Sequence, residues 1–120
     1  DAAEGINITL YISPDLKHTR LSSLAGINIY RIVQEAFTNT FKYADATTFD
    51  VKVEEIGEEV ILKIIDNGCG FDIQSVIKGN GLQNIEKRSS ILEGKLQINS
   101  MLNQGTEFRI TFDINKLVLS

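Results

Sequence analysis

Alternation of apolar and polar residues is the pattern that most limits the fold of this 120-residue chain. It recurs in five segments, while helical periodicity appears in only two. The alternating segments predict strands and read INITLYIS, TTFDVKVEEI, EEVILKII, KLQINSML and TEFRITFDI. With the helical segments included, the order is strand, helix, two strands, loop, helix, two strands. This order predicts an α+β fold, a two-layer α/β sandwich with a mixed, mostly antiparallel sheet and its helices on one face. It excludes a doubly wound fold, which needs strict alternation of strands and helices.

The two helical segments differ in length and in what surrounds them. The first runs from about Leu24 to Ala44, and the second from Leu82 to Leu92, followed by Gly94, a typical residue at a helix C-terminus. A helical wheel of the first segment places its apolar residues on one broad arc, made of Ile29, Ile32, Val33, Ala36, Phe37, Phe41 and Ala44. The opposite arc carries Arg31, Glu35, Thr38 and Lys42, with Asn39 at the border.

Composition and charge exclude several classes of function. The formal net charge of −4 argues against a nucleic-acid interface, which needs a clustered basic face. No apolar stretch is long enough to span a bilayer and no signal-peptide pattern opens the chain, so we expect no membrane contact by this domain. The single cysteine, Cys69, cannot form an internal disulfide, which favours the cytoplasm. The length predicts one domain, residues 1–120, and the start at Asp1 suggests a piece of a longer protein.

The stretch DNGCGFD, which begins at Asp66, places an acid and two glycines directly after an apolar strand. Strand parity puts Asp66 on the face of Leu62, and it puts Thr106 on the face of Phe108. A buried carboxylate and a buried hydroxyl both need hydrogen-bond partners. They could satisfy one another beside an ordinary Asp-Asn-Gly turn, or they could accept from a ligand N–H such as the exocyclic amine of adenine. Spacing alone leaves both interpretations open.

One strip of the first helix carries oxygen ligands and an ammonium group. Glu35 and Asn39 are four residues apart, and Lys42 lies one turn further on. Such a strip could hold a magnesium ion and phosphate oxygens, because magnesium prefers oxygen ligands and keeps several of its waters. The alternative is a solvated helix face with an Arg31–Glu35 pair.

The segment GNGLQNIEKR has glycines at the start of the second helix. Gly79 and Gly81 flank Asn80, and Gly81-Leu82 opens the helical pattern. Backbone N–H groups at a helix N-terminus attract anions, so phosphates could lie there. No lysine and Ser/Thr follow the second glycine, so the segment is not a P-loop.

Taken in this order, QEAFTNTFKYA, DNGCGF, GNGL and GT resemble the ATP-binding domain of bacterial histidine kinases. More broadly, they resemble the superfamily shared with gyrase-type, heat-shock-chaperone and mismatch-repair ATPases. The spelling YRIVQEAFTN, KYADA and GLQNIEKR is most similar to the nitrate-sensor and envelope-stress-sensor type, and the resemblance spans about Leu24 to Ile114. It implies a Bergerat-type fold that binds ATP and Mg²⁺. It also implies transfer of the γ-phosphate to a histidine on a separate helical dimerisation domain of the same protein, and indirectly a response regulator, in two-component signalling.

The resemblance also implies roles for individual residues near the phosphates. Asn39 matches the asparagine that binds magnesium, Glu35 matches the acidic position that holds a metal-bound water or assists phosphoryl transfer, and Lys42 matches a phosphate-contacting lysine. The second glycine box, next to the phosphates, consists of Gly79, Gly81 and the adjoining Leu82.

At the base, the resemblance makes Asp66 the acceptor for the adenine amine and Thr106 the residue that supports this contact, often through water. Gly68 and Gly70 match the glycines that leave room for the base. The segment from Phe71 to Lys78 matches a short lid over ATP.

Several positions depart from the family pattern or suggest other functions. Tyr43 stands where this type commonly has histidine, and the only histidine, His18, is expected to be an exposed loop residue rather than a phosphoacceptor. Because the sequence shows no recognisable phosphoacceptor segment, two alternatives stay open: an anti-sigma-factor-type serine kinase and a non-catalytic ATP-binding regulatory module. The intact motif residues argue against a third possibility, an interaction domain whose nucleotide site has decayed.

Overall fold

The computed structural model describes residues 5–39, 46–68, 80–100 and 103–119. Within these residues, one sheet consists of β1 (Asn7–Ile12), β2 (Thr48–Ile56), β3 (Glu59–Asp66), β4 (Lys95–Ser100) and β5 (Thr106–Asp113). The described helices are α1 (Ser23–Asn39) and α2 (Asn80–Ile91), with short 3-10 turns at Pro14–His18 and Ile114–Lys116. The order of elements is the one that the sequence predicts.

The strands lie in the order β1-β2-β3-β5-β4. β1 is parallel to β2, with α1 as the crossover connection that a parallel pair needs, whereas β2–β3, β3–β5 and β4–β5 are antiparallel. β2 and β3 are joined by a tight turn at Gly57, whose φ of 61° lies in the left-handed region. The sheet is therefore mixed and mostly antiparallel, as the sequence predicts. Since α2 separates β3 from β4 in the chain, the central pair β3–β5 joins two segments that are distant in sequence.

The hydrophobic core lies between the two helices and one face of the sheet. Alternate residues of β2, β3 and β5 and the inner sides of the helices form one buried cluster, which includes Ala25, Ile32, Ala36, Phe49, Val51, Val60, Leu62, Ile64, Ile85, Phe108, Ile110 and Phe112. Phe37 of α1 meets Phe49 of β2 edge to face, with ring centroids 5.1 Å apart. The two-layer architecture and the inward faces expected for β3 and β5 are confirmed.

The ends of the helices follow from local hydrogen bonds. The Ser22 hydroxyl accepts from the backbone N–H of Ala25 at 3.1 Å, which caps α1. At the end of α2, Gly94 N–H donates to the Ser89 carbonyl at 2.8 Å and Glu93 N–H donates to that of Ser90 at 2.9 Å, the pattern of a Schellman motif. The residue in the left-handed conformation is Glu93, with φ 57°, and not Gly94.

Gly94 is needed for a different reason. A Cβ atom placed on it would lie 2.6 Å from the Phe112 ring and 2.8 Å from Ile110. The glycine therefore lets the start of β4 approach the core. Its position after the helix was predicted correctly, but close packing explains it better than backbone conformation does.

The bounds of the helices differ slightly from the expected ones. α2 begins at Asn80 rather than Leu82 and ends at Ile91. In α1, the expected residues after Asn39 lie outside the described part of the chain. Neither described helix is both long and apolar enough to cross a membrane.

Candidate functional site

Three polar side chains form a row across one end of the sheet. Asp66 ends β3, Thr106 begins β5 and Ser100 ends β4, and the strand register pairs Asp66 with Thr106 and Thr106 with Ser100. The preceding row on the same face is apolar, with Ile64, Phe108 and Ile98. Asp66 is only 8% exposed and Thr106 only 6%. The parity prediction for both residues is therefore correct, and the structure brings them together.

Hydrogen bonds hold this polar row in place. One carboxylate oxygen of Asp66, Oδ1, accepts from the backbone N–H of Gly68 at 2.8 Å. The hydroxyl groups of Ser100 and Thr106 are 2.8 Å apart, and the Ser100 hydroxyl also lies 3.3 Å from the carbonyl oxygen of Gly105. Gly68 thus supports the carboxylate directly. Ser100 was not among the residues that the sequence singled out.

Asn67 clamps the chain as it leaves β3. Its Oδ1 accepts from the backbone N–H groups of Thr47 and Thr48, both at 2.9 Å, and its Nδ2 donates to the Thr47 hydroxyl at 2.8 Å. These three bonds tie the Asp66–Gly68 turn to the beginning of β2. The sequence marks Asn67 only as a common turn residue, because its partners lie in another strand.

Gly105 allows the start of β5 to lie against the end of β3. It has a φ of 84°, and a Cβ atom at this position would collide with the backbone carbonyl oxygen of Asp66. Glycine is therefore required at this close approach, both for conformation and for space. An open cavity of about 370 Å³ lies beside it, lined by Ile65, Asp66, Ile98, Asn99, Ser100, Gln104, Gly105, Thr106 and Glu107.

Glu35 of α1 faces α2 rather than open solvent. Its Oε1 accepts from Nδ2 of Asn84 at 3.2 Å, while Arg31 donates to Gln34 at 3.0 Å. The solvated Arg31–Glu35 pair, which was the alternative interpretation of this helix face, is therefore not formed. Asn39, one turn beyond Glu35, is half-buried at the end of the described helix.

A second hydrogen bond ties α2 to α1 further along. Arg88 donates to Oδ1 of Asn28 at 3.1 Å, and Nδ2 of Asn28 donates to the Leu24 carbonyl at 2.8 Å. Asn28 is 2% exposed, so these bonds satisfy a buried amide. Neither Asn28 nor Asn84 could be identified as a contact residue from helical periodicity, since each partner lies on the other helix.

The remaining predicted site residues divide into two groups. Gly81 lies in the first turn of α2, as expected for a helix N-terminus at the second glycine box, and the side chain of Leu82 packs against the core. His18 is exposed at the end of a 3-10 turn. Other expected positions lie outside the described residues, namely Lys42, Tyr43, Cys69, Gly70, the segment 71–78 and Gly79.

Comparison with known proteins identifies the family. Residues 25–116, which include α1 from Ala25 onward, α2 and the strands β2 to β5, match the model of the histidine kinase-, DNA gyrase B-, and HSP90-like ATPases. The chain belongs to this ATPase family. The resemblance drawn from the motifs is thereby confirmed at the level of the family, and the fold is that of its nucleotide-binding domain.

Individual relatives agree with this membership. The chain is 37% identical over 105 residues to the signal transduction histidine-protein kinase/phosphatase DegS of Brevibacillus brevis, with 83% of this chain and 27% of DegS covered. The blue-light-activated histidine kinase of Erythrobacter litoralis EL346 superposes with a TM-score of 0.77 at 17% identity, over 92% of this chain and 36% of that one. Full-length ShkA in complex with AMPPNP superposes with a TM-score of 0.75 at 18% identity, over 98% of this chain and 27% of ShkA.

These comparisons differ in what they establish. The chain spans about a quarter of the length of DegS, so the relative carries much that this chain does not contain. At identities below 20%, the two structural matches establish the fold alone.

Proposed function

We propose that this chain is the ATP-binding catalytic domain of a sensor histidine kinase. It binds Mg-ATP and donates the γ-phosphate to a histidine on a separate helical dimerisation domain. The observation that carries the proposal is the buried Asp66–Thr106 pair at the end of an otherwise apolar sheet face, in a chain of this ATPase family. ShkA, which shares the fold, was crystallised with AMPPNP, and this supports nucleotide as the ligand.

Adenine is the base that suits this pair. Asp66 is a poorly solvated carboxylate, and one of its oxygens is already held by the Gly68 N–H. An ionised carboxylate only accepts hydrogen bonds, so its partner on the ligand must be a donor. The exocyclic amine of adenine is such a donor, whereas guanine and hypoxanthine have a carbonyl oxygen at the same position. Thr106 supports the contact from the adjacent strand.

Residues of α1 would hold the magnesium ion and contact the phosphates in this proposal. Glu35 and Asn39 supply a carboxylate and an amide oxygen one turn apart, which fits the preference of magnesium for oxygen ligands. Magnesium is usually bound by one or two protein groups together with waters and substrate phosphates, so phosphate oxygens would supply further ligands. When bound, the ion would neutralise charge on the phosphates. Lys42, Gly70 and Gly79 complete the nucleotide site in this proposal, together with Gly68, Gly81 and Leu82.

In the reaction, a ring nitrogen of the acceptor histidine forms a bond to the γ-phosphorus while the bond to the β–γ bridging oxygen breaks. ADP leaves, and the proton on the other ring nitrogen of the histidine is lost to a base. In this proposal Glu35 assists the transfer, and the hydrogen bond that its Oε1 accepts from Nδ2 of Asn84 at 3.2 Å orients the carboxylate. Catalysis in this class consists mainly of positioning and charge neutralisation.

The acceptor histidine, the dimerisation domain and the response regulator belong to the whole protein. The chain covers 27% of DegS, which supports a longer protein with further domains. We infer a cytoplasmic location for this domain. From the spelling of its motifs, we also infer that the kinase is of the nitrate-sensor or envelope-stress-sensor type.

The proposal is tested by incubating the chain and the full-length protein with γ-labelled ATP and magnesium. The chain alone should bind ATP yet remain unlabelled, because His18 is an exposed residue of a 3-10 turn rather than a residue of a dimerisation helix. The full-length protein should acquire an acid-labile, base-stable phosphate. A label on a serine would instead favour the serine kinase alternative, and a label on His18 in the isolated chain would contradict the proposed division of labour.

A further inference from the structure

The Ser100–Thr106 hydroxyl pair points to a residue that controls base recognition from one strand further away. This inference rests on the proposed function, because Thr106 matters for specificity only if the nucleotide base lies against Asp66. Asp66, Thr106 and Ser100 occupy the same row on three adjacent strands, β3, β5 and β4. Ser100 is half-buried and lines the same cavity as Asp66 and Thr106.

Each hydroxyl group has a single proton, and this limits how the row can be connected. The acceptors near the Ser100 hydroxyl include the Thr106 oxygen at 2.8 Å and the Gly105 carbonyl at 3.3 Å. If Ser100 donates to Gly105, the short contact requires Thr106 to donate to Ser100, and Thr106 then offers only lone pairs. If Ser100 donates to Thr106, Thr106 keeps its proton for the carboxylate, a water or the base.

We propose that Ser100 is a positioning residue that donates to Thr106 and so directs the Thr106 proton toward the Asp66 side of the site. The 2.8 Å distance fits either hydroxyl as the donor. Donation from Ser100 to the Gly105 carbonyl is disfavoured, because their separation of 3.3 Å is beyond the ordinary O–H···O range. Ser100 does not touch the nucleotide in this scheme. It acts through Thr106.

The consequence is a measurable share of base specificity. Without the Ser100 hydroxyl, Thr106 has no fixed partner on the β4 side, and its hydroxyl rotates among several acceptors. A neutral hydrogen bond of this kind corresponds to about a two- to ten-fold change in affinity. We expect Ser100→Ala to weaken ATP binding by this factor and to affect ITP less, because ITP has a carbonyl oxygen where ATP has the amine.

The experiment measures the Kd of Mg-ATP and Mg-ITP by calorimetry, with thermal unfolding as a check of folding. The variants are Ser100→Ala, Thr106→Ala, the double variant and Ser100→Thr, which keeps a hydroxyl. Ser90→Ala serves as the matched control, because it removes an exposed hydroxyl from α2. The decisive quantity is the ratio of the ITP and ATP dissociation constants.

If Ser100 acts through Thr106, Ser100→Ala lowers this ratio in the unmutated background but not in the Thr106→Ala background, and Ser100→Thr restores it. An unchanged ratio in Ser100→Ala, or an equal fall in both backgrounds, would overturn the inference even if the melting temperature falls. The proposed function fails by a separate result, namely no preference of the unmutated chain for ATP over ITP.

Discussion

Replacing Asp66 with asparagine should convert the proposed base-recognition site from an acceptor to a donor. The structure makes this substitution unusually informative, because the backbone N–H of Gly68 already donates to Oδ1 at 2.8 Å. In the variant, that N–H should hold the amide oxygen in the same place. The amide nitrogen then occupies the position of the second carboxylate oxygen. Two donors, the new amide and the adenine amine, would face each other.

The size of the effect follows from the hydrogen bond that is lost. A hydrogen bond to a charged group contributes roughly 1.5–3 kcal/mol, which corresponds to about one to two decades in affinity. ATP binding should weaken by at least this factor. ITP and GTP have a carbonyl oxygen that can accept from the new amide, so their binding should be preserved or improved. Discrimination against the wrong base is expected to be large, because a mismatch leaves buried polar groups unpaired.

Asp66→Ala tests the structural part of the same argument. It leaves the Gly68 N–H without this partner in a buried turn, so it should lower the free energy of unfolding by about 1–3 kcal/mol. Asp66→Asn should cost less, since the oxygen remains. Asp50→Asn is the matched control, because it makes the same chemical change at a residue on the opposite face of the sheet from Asp66.

The assay combines calorimetric titration of ATP, ITP and GTP with thermal unfolding of each variant. The expected result is a folded Asp66→Asn domain that has lost or reversed the preference for ATP, beside an Asp50→Asn domain that keeps it. A folded Asp66→Asn domain with an unchanged ATP-to-ITP ratio would refute the assignment of adenine to Asp66. Asp66 would then be a turn residue only.

Four further substitutions test other parts of the structure. Asn39→Ala should weaken ATP binding in magnesium but not in EDTA, with unfolding unaffected; equal affinities for the variant and the unmutated chain in magnesium would remove Asn39 from the metal site. Glu93→Gly should stabilise the domain by up to about 1 kcal/mol, because glycine relieves the left-handed φ of 57° while the exposed ion pair with Lys116 contributes little; a lower melting temperature would contradict this. Gly105→Ala should destabilise the domain by more than about 2 kcal/mol and weaken ATP binding, since its Cβ would collide with the end of β3 and its φ of 84° lies in the left-handed region. Gly26→Ala is the control: it has open space in α1 and should raise the melting temperature.

Local periodicity was sufficient to predict the elements and the inward faces. A strand alternates its side chains regardless of its neighbours, so the parity of β3 and β5 already placed Asp66 and Thr106 on the buried face. The order of elements likewise followed from periods and turn residues. The spelling of four short motifs was specific enough to indicate the family, which the match over residues 25–116 confirms.

Contacts between distant segments could not be read from these local patterns. Asp66 lies opposite Thr106 because β3 and β5 are neighbours in the sheet. The pairing of these two strands depends on the burial of their whole apolar faces, and no single residue determines it. The hydrogen bonds of Asn67 with the start of β2 and of Asn84 with Glu35 likewise depend on how distant segments pack together. Each of these amides looks like an ordinary turn or helix residue in the sequence.

The sequence by itself therefore determined which residues point inward and which polar groups lie among them. The tertiary structure alone decided that Ser100 meets Thr106, that Gly105 must lack a side chain and that Gly94 packs on Phe112. The physical reason is that side-chain direction is set by the backbone of one segment. Distance between segments is set by the packing of the entire core, to which every strand and helix contributes.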